Sequence, residues 1–357
     1  MHGRWRFAKL IGAGIPALLL AAVVLGAPKK TDGPTLTPQV SGTTNRLQAV
    51  SPVNDQVVWA SGTGGTYALT TDGGETWVSA QVPGAELLQF RDVEGVSAEV
   101  AYLMAAGTGT DSRIYKTVDG GATWTLQIMN TDPAGFYDCF AFWTPTTGLT
   151  MADSVAGRLP VLRTLNGSTW QDIGDKLPPA LPGGEFAFAA SGTCAATVGK
   201  KWAWLGTGGG SVARVLATPD QGETWTAYDT PLAAGPVAGV FTIDFRNPAR
   251  GVIGGGDLAT TTDIVDNFAR SHDGGKTWEL ATNAPIPGAI FGLDYVGTPG
   301  LPRYIVATGP GGAAWTPDEG DTWNLLEDVE GFWAVAFASP DAGWLVGTQG
   351  RIIKVSF

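Results

Sequence analysis

Thr71-Asp72-Gly73-Gly74-Glu75-Thr76-Trp77 decides the fold of this 357-residue chain, because it recurs. It returns as Thr117-Val118-Asp119-Gly120-Gly121-Ala122-Thr123-Trp124, and in a degenerate form as Thr164-Leu165-Asn166-Gly167-Ser168-Thr169-Trp170. Further copies pair Asp220 with Trp225, Asp273 with Trp278 and Asp318 with Trp323. The tryptophans are 47, 46, 55, 53 and 45 residues apart. Short apolar segments repeated at that period are the signature of propeller blades.

The units align beyond the motif. Each starts with an apolar stretch such as Phe241-Thr242-Ile243-Asp244-Phe245. A second strand then ends in glycine, as in Trp59-Ala60-Ser61-Gly62, Trp204-Leu205-Gly206 and Trp344-Leu345-Val346-Gly347. A third strand leads into the Asp motif and a fourth follows the Trp. The last unit, Phe332 to Phe357, holds only three strands, so the extended segment Thr35 to Ser41 is expected to supply its fourth. That pairing closes the ring and removes an open sheet edge. The reading is an all-β, seven-bladed β-propeller of four-stranded blades over residues 46–357. Residues 31–45 are the linker and closing strand, and residues 1–30 a membrane anchor or signal segment.

Within the motif, the carboxylate can accept backbone N–H groups of the turn, and glycine supplies left-handed backbone. The Trp is expected to pack between blades. Asp72, Asp119, Asp220, Asp273 and Asp318, with Asn166 in the degenerate copy, are therefore read as structural. So are Trp77, Trp124, Trp170, Trp225, Trp278 and Trp323. The Ser/Thr-x-Asp-x-Gly-x-Thr-Trp pattern resembles the Asp-box, or bacterial neuraminidase repeat, shared by sialidases, sortilin-type receptors and xyloglucan-degrading enzymes. Seven short blades behind an export segment look most like the photosystem II stability/assembly factor family. That resemblance implies a non-catalytic assembly role on a photosynthetic complex.

Composition agrees with the repeat. The chain has 51 Gly, 23 Pro and 14 Trp, with only 15% charged residues, a turn-dense and aromatic-rich profile unlike disorder or a helical bundle. Five of its 22 basic groups lie in the first 30 positions, leaving 17 against 33 acids in the body, a net −16. So acidic a body is a poor nucleic-acid binder. Only two histidines exist, so multi-histidine metal sites and Ser-His-Asp chemistry are disfavoured, and neither a metal nor a cofactor is expected. Gly62-Thr63-Gly64-Gly65 and Gly206-Thr207-Gly208-Gly209 both fall at the turn after a second strand and open no helix, unlike phosphate-binding loops.

Leu10 to Ala27 is an uncharged apolar run of 18 residues behind Arg4, Arg6 and Lys9. It is close to the length that spans a bilayer, and Leu25-Gly26-Ala27-Pro28 is a poor cleavage site. The expectation is an uncleaved single-pass anchor in the inner membrane with an exported, periplasmic body, in preference to a cleaved signal. Cys139 and Cys194 lie 55 residues apart in no metal-ligand spacing. They are either two buried small hydrophobes or, in an oxidising compartment, a disulfide.

Catalysis has thin support. Lys116, Arg163 and Arg270 sit on third strands, on the blade body, rather than as an arginine clamp. Asp92, Asp138, Asp153, Asp244 and Asp257 are candidate carboxylates, with Arg91 and Tyr137 nearby, but sequence cannot pair them across a cleft. The loop from Asp257 to Asn267, with Asp263 and Asp266, matches no calcium-loop spacing and reads as a solvated insertion. A better candidate surface is aromatic. Phe136, Tyr137, Phe186, Phe241, Phe291, Phe332 and Trp333 stand where one blade's outer strand leads to the next blade's inner strand. They either plug the channel or ring its mouth for a partner.

The functional expectation is a membrane-tethered, extracytoplasmic docking or assembly subunit, its partner a membrane protein complex or an extrinsic subunit of one, a photosynthetic complex most specifically. The alternative is a glycan-active propeller, sialidase-like, another glycoside hydrolase or carbohydrate-binding. A plugged mouth would count against that alternative.

Overall fold

The computed structural model describes residues 33–297 and 303–357. The apolar segment Leu10 to Ala27 lies outside them. Among the described residues no helix is long and apolar enough to cross a membrane.

Seven four-stranded antiparallel sheets follow one another along the chain. The innermost strands of blades one to six are Leu47–Pro52, Phe90–Gly95, Tyr137–Thr144, Ala195–Val198, Ala238–Asn247 and Gly292–Tyr295. The seventh blade takes Phe332–Ser339, Ala342–Gly347 and Arg351–Ser356 from the C-terminus and its outer strand, Thr35–Val40, from the N-terminus. Register runs from Thr35 opposite Ser356 to Val40 opposite Arg351. The closing strand is thus the one expected, and the ring has no open inter-blade gap at the chain ends.

The Asp motif forms the turn between third and fourth strands. Asp72 Oδ1 accepts the Thr76 N–H at 2.9 Å, and Oδ2 accepts the Thr76 hydroxyl at 2.6 Å. Thr70 donates its hydroxyl to Asp72 Oδ1 at 2.8 Å and accepts the Gly74 N–H at 2.9 Å. The Thr76 hydroxyl, the Thr76 amide and the Thr70 hydroxyl, in that order, hold the Asp72 carboxyl down to about 2. The same contacts recur at Asp119, Asp220, Asp273 and Asp318. In the degenerate copy Asn166 Oδ1 accepts the N–H groups of Ser168 and Thr169, so the motif Thr lies three rather than four residues on. That turn is one residue shorter, which keeps the acceptor and shifts its reach.

The motif tryptophans do less burying than expected. Trp77 and Trp225 are buried, but Trp124, Trp170, Trp278 and Trp323 are half-buried. They precede or begin outer strands, whose far edge faces water. The fully buried indoles are Trp59, Trp204 and Trp344 on second strands, where sheets face each other. Trp59 also donates to Ser97 O of the next blade at 2.8 Å, and Trp204 to Gly274 O at 2.9 Å. Lys116, Arg163 and Arg270 reach sideways too, to Gly167 O, Glu223 and Asp321 in the next blade's turn. They rivet neighbouring blades at a distance from the channel.

Candidate binding surface

Five inner strands carry a β-bulge near their start, four at the second residue and the longer Ala238–Asn247 at its fourth. Register slips between Leu47 and Ala49, Phe90 and Asp92, Tyr137 and Cys139, Val240 and Thr242, and Phe332 and Ala334. The extra residues are Gln48, Arg91, Asp138, Phe241 and Trp333. A bulge re-aims its side chain, and four of these five line one cavity of about 360 Å³ at the channel mouth.

The wall of that cavity divides by chemistry. Phe186, Phe188, Phe241, Phe291 and Trp333 form a continuous ladder of rings, with successive centroids 5.0, 3.7, 5.6 and 5.0 Å apart. Arg46 caps it, its guanidinium 4.3 Å from the Trp333 centroid. Arg91, Asp138 and Asp153, with the Phe136 side chain, line it from the second and third blades, across the ring from blades five to seven. Of the seven aromatics expected at the mouth, Phe136, Phe186, Phe241, Phe291 and Trp333 line it. Tyr137 and Phe332 do not. Successive strand residues point to opposite faces, so Tyr137 and Phe332 turn into inter-blade cores while their neighbours face the cavity. The sequence does not single out Phe188, which lies two residues beyond Phe186, the aromatic that marks that blade entry.

The mouth has a floor. The segment Phe186 to Thr193 crosses the channel before the fourth blade begins. Arg91 on blade two donates to Ala189 O at 3.0 Å, Ser191 donates to Phe291 O on blade six at 2.6 Å, and the Thr193 hydroxyl meets that of Thr242 on blade five at 2.7 Å. Gly192, at φ +80°, passes so close to Asp92 that a Cβ would sit 2.4 Å from its Oδ1. Two anchors hold the segment. At one end Glu185, fully buried, pairs with Arg214 and accepts the Thr207 hydroxyl at 2.6 Å. At the other, Cys194 is disulfide-bonded to Cys139 of the third blade, with Cα atoms 5.9 Å apart.

Below the floor a second cavity of about 480 Å³ holds Asp92, Glu94, Asp244 and Asp294. Three of these carboxylates bind the next blade's inner edge. Asp92 accepts the Phe140 N–H at 2.7 Å, Asp244 that of Tyr295 at 3.0 Å and Asp294 that of Phe337 at 2.6 Å. Burial raises all four, Glu94 to about 8. Above the floor burial likewise raises Asp138, with the neighbouring Asp153 carboxylate adding to the rise, and lifts Asp153 to about 6. Asp257 is elsewhere, capping the Ala259 N–H of its exposed loop at 2.8 Å. Among the described residues no group of three or more His, Cys, Asp or Glu converges in a metal-binding arrangement.

The BNR/Asp-box repeat family matches residues 269–280. No curated protein sequence matches the chain. Among solved structures, one described as YCF48 bound to D1 peptide has 16% identity and a TM-score of 0.60, covering 92% of this chain and 96% of that one. YCF48 from Cyanidioschyzon merolae has 17% identity and a TM-score of 0.58, covering 90% and 98%. The WD40 β-propeller domain of Doa1 has 14% identity and a TM-score of 0.54, covering 91% and 97%. With its Asp-box turns and its ring closed by Thr35–Val40, the chain is a seven-bladed β-propeller that matches the BNR/Asp-box repeat over residues 269–280 and is similar in fold to YCF48.

Proposed function

We propose that this chain is a non-catalytic, membrane-tethered extracytoplasmic propeller that docks a segment of a membrane protein complex in its channel mouth and so supports assembly of that complex. The observation that carries this reading is the mouth itself: a floored cavity with a five-ring apolar wall facing Arg91, Asp138 and Asp153. Concave aromatic surfaces beside a few polar groups suit the anchor residues of a protein partner. A propeller of the same fold is described as bound to a D1 peptide, which makes a photosynthetic reaction-centre complex the specific candidate. The Cys139–Cys194 disulfide suits an oxidising compartment, and the apolar run from Leu10 to Ala27 suits a tether on its inner side.

Glycoside hydrolysis fits the site poorly. It needs two carboxyl groups about 5 Å or more apart across the scissile bond. Asp153 acts on Asp138, and Asp244 on Asp294, as close neighbours, so each pair lies side by side instead of flanking a sugar-sized gap. The test is cross-linking and co-purification from solubilised membranes, comparing the native chain with Phe186→Ala/Trp333→Ala. The native chain should hold a membrane protein that the variant releases. A native chain that elutes alone while binding an oligosaccharide would reverse the reading.

A further inference from the structure

We infer that the mouth reads a basic side chain of the docked segment, a Lys or Arg whose aliphatic stem lies along the aromatic ladder and whose charge meets Asp138 and Asp153. The inference rests on the docking role proposed above and names the chemistry that role selects.

Three observations converge on it. First, the acid pair lines the cavity with carboxylate oxygens that lack donors and with no salt bridge to either acid among the described residues. Asp138 is 1% exposed, and its Oδ2 and the Asp153 Oδ1 have no donor in the chain. Arg91 is near enough for its charge to act on Asp138, but its two terminal nitrogens donate at 3.0 Å to Ala189 O and Gln89 Oε1 and make no hydrogen bond to Asp138. The chain supplies no donor to either of those two oxygens; an ammonium or guanidinium would supply both.

Second, the opposite wall suits a cation with an apolar stem. Lys and Arg bury their methylenes on apolar surface while keeping the charged head polar, and a cation over an aromatic face is attracted by its quadrupole. The ladder already holds one such cation, Arg46 over Trp333. Phe186, half-buried and edge-on to Phe188 at 5.0 Å, and the half-buried Trp333 also line the cavity.

Third, the body beyond residue 30 carries a net −16. A field of that sign draws basic segments and repels acidic ones on approach.

The experiment pans a library of random dodecapeptides displayed on phage against the full-length chain in detergent micelles. Recovered peptides are expected to carry Lys or Arg beside a large apolar residue. A synthetic copy with that basic residue changed to Gln should bind at least tenfold more weakly, and the protein variant Asp138→Asn/Asp153→Asn should show the same loss. The peptide substitution stands even if the protein variant folds badly. Recovered peptides that lack a basic residue, or carry acids and are lost on Arg46→Ala, would overturn this inference while leaving docking at the mouth intact. Peptides indifferent to Phe186→Ala/Trp333→Ala, or no recovery at all, would sink the docking role and the inference with it.

Discussion

Trp77 on the first blade and Trp344 on the last donate their indole N–H groups to one oxygen, Gln39 Oε1, at 3.0 and 3.2 Å. Gln39 stands in the closing strand, and its Nε2 donates to Gly73 O at 3.2 Å. A single side chain therefore ties the N-terminal strand to both blades that flank the seam. Gln39→Ala should cost about 1–3 kcal/mol, since it strands two largely buried donors. Chemical denaturation checks this, and Gln39→Glu should recover part of the loss by restoring the acceptor.

The Glu185–Arg214 pair should be the most sensitive polar contact in the ring. Removing one partner of a buried pair leaves an uncompensated charge, which costs roughly 3–5 kcal/mol. Glu185→Ala is thus expected to unfold far more readily, whereas Glu185→Leu/Arg214→Met should recover much of the stability. Equal destabilisation of single and double variants in denaturant melts would contradict the pairing.

Cys139→Ala/Cys194→Ala opens a covalent loop spanning 55 residues. A loss of about 2–4 kcal/mol is expected, mainly through the unfolded state. Melting with and without reductant should reproduce the difference in the native chain and show none in the variant.

Stability should fall at both ends of the pH scale, for opposite reasons. The Asp-box carboxyls are held below their ordinary range, Asp72 at about 2, so they stabilise the fold above the unfolded value near 4 and lose that contribution as pH falls through the folded one. Glu94 is the reverse. Its folded value near 8 exceeds the unfolded one, so the folded state binds the extra proton and stability declines as pH rises from about 4 to 8. Glu94→Gln should melt progressively higher than the native chain across that interval. Parallel melting curves at pH 5 and pH 8 would rule this out.

The ring and its seam were readable from sequence because their cause is local and repeated. Each Asp-box is a turn with its own acceptor and glycines, and a missing fourth strand is a countable deficit. The mouth was half readable. Aromatics at the starts of inner strands marked the right end of the channel, but which of two neighbours faces inward depends on the bulge, a register slip visible only in pairing. Leu47-Gln48-Ala49, Phe90-Arg91-Asp92 and Phe332-Trp333-Ala334 share an apolar–variable–small pattern that in hindsight marks those bulges. Phe188 and the crossing segment left no comparable trace. They sit in the stretch before the fourth blade that matches no other unit, and its path is set by contacts some 50 to 100 positions away, from Thr193 to Thr242 and from Ser191 to Phe291.

The crossing from Phe186 to Thr193 turns the ring from a tube into two basins set back to back. That strip borders both basins, with residues 186–190 lining the aromatic one and residues 191–193 the one behind. The two ends are consequently separate chemical environments sharing one backbone. A residue such as Asp294 can be altered to retune acid–base behaviour at the rear while the front keeps its rings.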